Sequence, residues 1–174
     1  SVGSNNDFSF EESVLREVSE SCEIHTFDPT VGTNPSQKPD DVEFHPWGLA
    51  TDNFQKGGQT FKKMKQIVKD LGHEGRTIDI LKIDCEGCEW HTYTGWFGQG
   101  VDVRQVQVEL HEGTHNAKGR IRPVADYFFT YLQDNGYVIF HKESNSQFSR
   151  GRCIEYAFLK LAKEFQIHDA TGSV

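Results

Sequence analysis

Short apolar runs alternate with amphipathic stretches along the chain, and each periodicity predicts its own element. Glu23 to Phe27 (EIHTF) reads as a strand stopped by Asp28-Pro29, because proline has no N–H with which to continue a ladder. A loop rich in Gly, Asn, Ser and Pro runs from Thr30 to Asp41, and Val42 to His45 is the next strand, closed by Pro46-Trp47-Gly48. Beyond the Gly57-Gly58 break, Phe61, Met64, Ile67, Val68 and Leu71 recur at three- and four-residue spacing, the pattern of an amphipathic helix with Gly72 as its stop. Thr77 to Asp84 (TIDILKID) reads as a largely buried strand and Val103 to Leu110 (VRQVQVEL) as an alternating one.

Pro123 is tolerated in the first turn of a helix that reaches Asn135, with Val124, Tyr127, Phe128, Tyr131 and Leu132 on its inner face and Gly136 as its cap. Tyr137 to His141 and Ile154 to Leu161 are two closing strands joined by the polar connector Lys142 to Arg152, which predicts an antiparallel hairpin. Near the start, Phe10, Val14 and Val18 predict the core face of a helix whose first turn carries the acidic pair Glu11-Glu12. Strand and helix alternate through the first two-thirds, so the pattern predicts an α/β fold with a mostly parallel sheet and helices on both faces. Residues 1–161 read as a single domain and 162–174 as a C-terminal tail, with no internal repeat or linker.

Composition narrows the classes. With 36% hydrophobic and 12% aromatic residues among 174, the chain is too apolar for a disordered segment. Its 18 Lys+Arg against 26 Asp+Glu give a net charge of −8, which argues against nucleic acid and anionic lipid as partners. No apolar run approaches bilayer length, and SVGSNNDFSF has neither a basic nor an apolar leader region, so no membrane contact is read from the chain as given. Four cysteines (Cys22, Cys85, Cys88, Cys153) are too few for a scaffold and read as small buried side chains with room for one disulfide. The single C-x-x-C has no second pair to complete a zinc site and lacks thioredoxin surroundings.

The run SVGSNNDFSFEE (Ser1 to Glu12), then FDPT (Phe27 to Thr30), FHPWGL (Phe44 to Leu49), LKIDCEGCEW (Leu81 to Trp90), VQVELH (Val106 to His111) and CIEYAFLKL (Cys153 to Leu161) resembles the FkbM-type, methyltransferase-like family of S-adenosylmethionine-dependent methyltransferases. The resemblance covers nearly the whole chain in order. It implies a Rossmann-like methyltransferase sandwich, mostly parallel with an antiparallel C-terminal strand, and S-adenosyl-L-methionine as methyl donor. Such a family has a strand directly before the glycine turn, whereas only Ser1 and Val2 precede Gly3, so a truncated first strand is expected. A signal or anchor upstream would place the protein in the secretory pathway or outside the cell, and its absence in the cytoplasm.

In an open parallel sheet, ligands bind at the carboxyl ends of strands, and the candidate residues sit there. Under the resemblance, Gly3 lets the backbone approach the methionine end of the cofactor while Ser4, with Asn5, Asn6 or Asp7, adds polar contacts; read alone, the same residues are a turn entering a helix. Asp28 suits the two ribose hydroxyls, because a carboxylate accepts both hydrogen bonds, or else it forms an Asx-Pro turn. Trp47 borders the adenine ring or is a core tryptophan. Asp84, Glu86 and Glu89 are three carboxylates within six residues. Asp84 is too costly to bury unpaired and so faces the cleft, where it would bind the cofactor's amino group, accept a proton or hold a metal. Glu86 joins it as a cofactor contact or caps a helix. Asp84 and Glu86 alone are too few ligands to predict a metal.

Glu109 and His111 share one side of their strand, since side chains alternate with period two. That pairing makes His111 a candidate general base oriented by Glu109, the alternative being a strand-end histidine bonded to a loop. His115 lies four residues on, but in a loop that spacing carries no ligand geometry. The reading is thus of a methyltransferase acting on a hydroxyl oxygen of a small molecule or glycan. The competing reading is a non-catalytic binding or assembly protein on a methyltransferase fold. A nicotinamide-dependent dehydrogenase is disfavoured by the missing second and third glycines of its fingerprint.

Overall fold

The computed structural model describes residues 1–111, 121–146 and 153–165. Helix α1 (Ser9–Glu17) leads to strands β1 (Ile24–Phe27), β2 (Val42–His45) and β3 (Trp47–Leu49), then to the hairpin of β4 (Phe54–Lys56) and β5 (Gln59–Lys62). Helix α2 (Met64–Asp70), strand β6 (Thr77–Ile83), the short helix α3 (Glu89–Thr92) and strand β7 (Asp102–His111) follow. Helix α4 (Ile121–Asp134) and strands β8 (Tyr137–Ser144) and β9 (Cys153–Lys160) come next, and single 3-10 turns lie at Tyr93–Gly95 and Lys163–Phe165.

The strands form three small sheets: β1-β2, β3-β5-β4 and β6-β7-β9-β8. Pairing is parallel between β1 and β2, β3 and β5, and β6 and β7. It is antiparallel between β4 and β5, β7 and β9, and β8 and β9. The mostly parallel, Rossmann-like sandwich expected from the sequence is therefore corrected to a mixed α/β arrangement of small sheets. One cause is Gly57-Gly58, which reads as a simple break but has φ of 59° and 81°. Two consecutive left-handed residues are what a tight hairpin turn requires, so the chain doubles back rather than crossing over. The closing hairpin adds two more antiparallel pairings.

The same hairpin shortens the predicted helix: Phe61 stacks on Phe54 with ring centroids 4.9 Å apart and belongs to β5, so α2 begins at Met64. Strand β3 forms where a closing turn was expected, because the chain resumes pairing with β5 immediately after Pro46. Val18 lies beyond the end of α1 and is 62% exposed, not part of a core face. Glu11 is instead the buried residue of α1, its carboxylate accepting the Thr26 hydroxyl at 2.9 Å.

Residues Ser1 to Gly3 join the small sheets. Val2 bridges in parallel to both Phe27 and Ile83. Its N–H donates to the Lys82 carbonyl, its carbonyl accepts from the Asp84 N–H, and the Gly3 N–H donates to the Phe27 carbonyl, all at 2.8–2.9 Å. The ends of β1 and β6 are thereby fixed side by side. Behind them, Phe128 of α4 is fully buried and meets Trp90, Trp96 and Phe158 edge-on, which anchors α3, α4 and β9 together. A cavity of about 510 Å³ lies between α1, β1, α2 and β6, lined by Phe10, Val14, Ile24, Ile67, Ile78 and Leu81 among others. None of Gly3, Asp28, Asp84 or His111 lines it. Among the described residues no helix is long and apolar enough to cross a membrane.

Candidate functional site

The ends of β1, β6 and β7 carry two hydrogen-bonded clusters linked by one lysine. The first is built on the Gly3 turn. Gly3 has φ of 86°, and a Cβ there would lie well inside contact with the backbone oxygen of Asp84. Only glycine permits that passage. Asn5 and Asn6 continue the turn in the left-handed region with φ of 46° and 62°.

Asp28 closes this turn from the end of β1. Its Oδ2 accepts from the Ser4 N–H (2.9 Å), the Ser4 hydroxyl (3.3 Å) and the Asn5 N–H (2.8 Å). Its Oδ1 accepts from the Thr30 N–H (2.8 Å) and hydroxyl (2.6 Å). Burial disfavours the ionised carboxylate, but these donors outweigh it and hold the pKa below the usual carboxylate value. Since an ionised carboxylate offers about four lone-pair sites, Asp28 is saturated. It organises the turn that Ser4 and Asn5 present rather than offering free oxygens to a ribose. The Asn6 amide and Ser36 exchange two further hydrogen bonds, at 3.1 and 3.0 Å. Between these loops lies a pocket of about 350 Å³ lined by Asn5, Asn6, Thr30, Val31, Asn34, Pro35 and Ser36.

The second cluster centres on His111. Glu89, the first residue of α3, is fully buried and points at the end of β7. Its Oε1 accepts from the His111 N–H at 3.0 Å and from Nδ1 at 2.9 Å, while Oε2 accepts from the Gly87 N–H at 2.8 Å. A carboxylate only accepts, so Nδ1 carries a proton. Nε2 faces the other way, 3.7 Å from Asp84 Oδ1 and 3.5 Å from Glu86 Oε2. Burial pulls the His111 pKa down, but the hydrogen bond and charge of Glu89, aided by Glu86 and Glu109, raise it to about 9.

The Cys85–Cys88 disulfide spans the loop that carries Glu86 (φ 56°) and Gly87 (φ 109°). Lys82 joins the two clusters, its Nζ donating to the Gly3 carbonyl at 2.9 Å and to Asp84 Oδ2 at 3.3 Å.

The structure thus brings Gly3, Ser4, Asn5 and Asp28 together, and Asp84, Glu86, Glu109 and His111 together. The partner bonded to the His111 ring is Glu89, whereas Glu109 accepts from the Asn145 amide at 2.9 Å and approaches His111 from the side of Cys153. Trp47 stands apart, in an aromatic row with Phe27 and His45 and with Lys62 Nζ 3.1 Å from its ring centroid. His115 falls outside the described residues. Glu89 and Lys82 carry more of the site than the sequence suggests. The available signals were an acid directly after Gly87-Cys88 at a helix start, and a lysine between Leu81 and Ile83 in a largely buried strand.

Compared with known families, residues 1–160 match a family model described as a methyltransferase domain. The match does not single out the FkbM type. No curated protein and no solved structure matches the chain.

Proposed function

From the premise that the chain belongs to this methyltransferase-domain family, we propose that it transfers a methyl group from S-adenosyl-L-methionine to a hydroxyl oxygen of a small molecule or glycan. The observation that carries the reading is the Gly3 turn, pressed against the end of β6 and pinned by Asp28. The residues present fit the donor: the pocket beside the turn is lined by the amides and hydroxyls of Asn5, Asn6, Thr30, Asn34 and Ser36, suited to a hydroxyl-rich adenosyl group. The donor, when bound, supplies an electrophilic sulfonium methyl group. Gly3 and Asp84 would flank its methionine portion, and Asp28 would act through the turn.

What the chain's own residues would have to do is hold an acceptor oxygen in line with the donor's carbon–sulfur bond, with the sulfur as leaving group. Alignment of the two reactants contributes most of the acceleration. The acceptor's proton must leave. It would pass to the group formed by Asp84, Glu86 and His111, whose Nε2 stands 3.7 and 3.5 Å from the two carboxylates.

The test is a calorimetric titration of S-adenosylhomocysteine into the chain and into Asp28→Ala, with far-ultraviolet circular dichroism on both. Stoichiometric binding that the variant loses while keeping its spectrum supports the reading. Absence of binding by the folded wild-type chain overturns it.

A further inference from the structure

We propose that Asp84, Glu86 and His111 bind a divalent cation at the ends of β6 and β7. The sequence offered two carboxylates, too few for a site; β7 adds the nitrogen of His111, whose Nε2 proton is released to solvent as the ion binds. Asp84 Oδ1, Glu86 Oε2 and His111 Nε2 all lie within 4.8 Å of one another, with Nε2 3.7 and 3.5 Å from the two oxygens. Ligand atoms about 2.1 Å from a shared ion sit roughly 3.0–3.4 Å apart in octahedral or tetrahedral shells. Closing on an ion therefore shortens the two nitrogen–oxygen distances by a few tenths of an ångström and brings the two oxygens, which lie within 4.8 Å of each other, closer by at most about 1.8 Å. Glu86, whose side chain is 85% exposed, is free to make them.

The surroundings favour an ion on independent grounds. Metal-binding histidines characteristically donate their other ring N–H to a carboxylate, which fixes the tautomer and aims the ligating nitrogen. Here His111 Nδ1–H donates to Glu89, which is fully buried. Charge points the same way. Among the described residues Asp84, Glu86, Glu89 and Glu109 surround one imidazole, and Lys82 bonds to Asp84 at 3.3 Å. The other histidine-rich group, His25, His45 and His73 with Glu23, instead has Arg76 on Glu23 and donates most of its contacts internally.

One nitrogen and two carboxylate oxygens suit Mn²⁺ or Zn²⁺ better than Ca²⁺, which takes six to eight oxygens. Three protein ligands leave coordination positions open, the arrangement of a catalytic rather than a structural centre. The ion's role, though not its binding, rests on the methyl-transfer reading: an acceptor hydroxyl entering an open position would become more acidic and be held in place for attack.

The experiment is a titration of Mn²⁺ into the full chain after chelator treatment, with no donor or acceptor present, read by electron paramagnetic resonance and calorimetry. One ion per chain is expected. Glu86→Gln and Asp84→Asn, both at accessible side chains, should each weaken binding by at least about tenfold. Glu143→Gln, on the neighbouring acidic surface, should change it less than about twofold. Zn²⁺ should displace the bound Mn²⁺. The proposal is overturned if the folded wild-type chain binds no stoichiometric ion, if neither ligand variant weakens binding, or if Glu143→Gln weakens it equally, which marks a diffuse acidic surface. Retained Mn²⁺ binding alongside failed S-adenosylhomocysteine binding would refute the methyl-transfer reading and leave the ion site standing.

Discussion

Replacing Glu89 with glutamine keeps the side chain's size while removing its charge at a position with no solvent exposure. Three donors now converge on its carboxylate, from Gly87, the His111 backbone and the His111 ring. A glutamine has one carbonyl oxygen to serve them and an NH2 group that must face at least one donor. Breaking a buried pair by neutralising one member typically costs about 3–5 kcal/mol, against a total of about 5–15 kcal/mol for a domain. At roughly 2–4 °C per kcal/mol for a chain of this size, the melting temperature should fall by about 6–20 °C. The pH dependence gives a second reading of the same contact. His111 has a folded pKa raised to about 9 from 6.5, so its stabilising contribution is complete below about pH 6.5 and is lost as pH rises through about 9. Urea unfolding of the metal-free chain, followed by tryptophan fluorescence, should therefore show wild type less stable at pH 9.5 than at pH 6. Glu89→Gln should be nearly level between them. A variant within about 1 kcal/mol of wild type at pH 6, or one that keeps the wild-type slope, would refute this account.

Gly3→Ala should cost at least about 3 kcal/mol, because the added methyl meets the backbone of Asp84 and the left-handed conformation is lost; thermal unfolding checks it. Asp28→Asn should remove part of the acid sensitivity. The wild-type carboxylate, with its pKa lowered, contributes stability above the unfolded value of about 3.8 and loses it as pH falls through the folded pKa, which urea midpoints between pH 2 and 5 would show. Glu155→Gln should raise the urea midpoint slightly at pH 7, since burial together with Glu109 and Glu143, its cross-strand partners, makes the charged form unfavourable. Phe128→Ala should destabilise by about 3–5 kcal/mol, since it opens the centre of the aromatic cluster.

How far the chain explains itself differs between fold and site. Strands with a buried period, such as TIDILKI and VRQVQVEL, were legible within a residue or two, because burial alone dictates their side-chain alternation. The hairpin at Gly57-Gly58 was not, because the same two glycines mark either a break or a turn, and only the Phe54–Phe61 stack decides between them. Sheet direction was misjudged for a related reason: alternation of elements says nothing about whether a short strand returns on its neighbour. In the candidate site, Gly3, Asp28, Asp84 and His111 were singled out in the sequence by their place at strand ends. Their partners were not. Glu89 reaches His111 across 22 residues and Lys82 reaches Gly3 across 79, contacts that no local pattern encodes.

The junction at Val2 also bears on how the molecule comes together and comes apart. Two sheets meet through the backbone bonds of one short segment, and both clusters of the site are tied to it by Gly3, Lys82 and Asp84. Those ties close loops of 24 residues (Ser4 to Asp28) and 79 (Gly3 to Lys82), so their entropic cost falls due before any of their contacts form, and they belong to a late stage of folding. The reverse process should be equally collective. Amide hydrogens of Ser4, Asn5 and Asp84 would exchange with solvent at one common opening free energy, below that of the β7–β9 ladder, as a single cooperative unit whose opening dismantles the whole site at once.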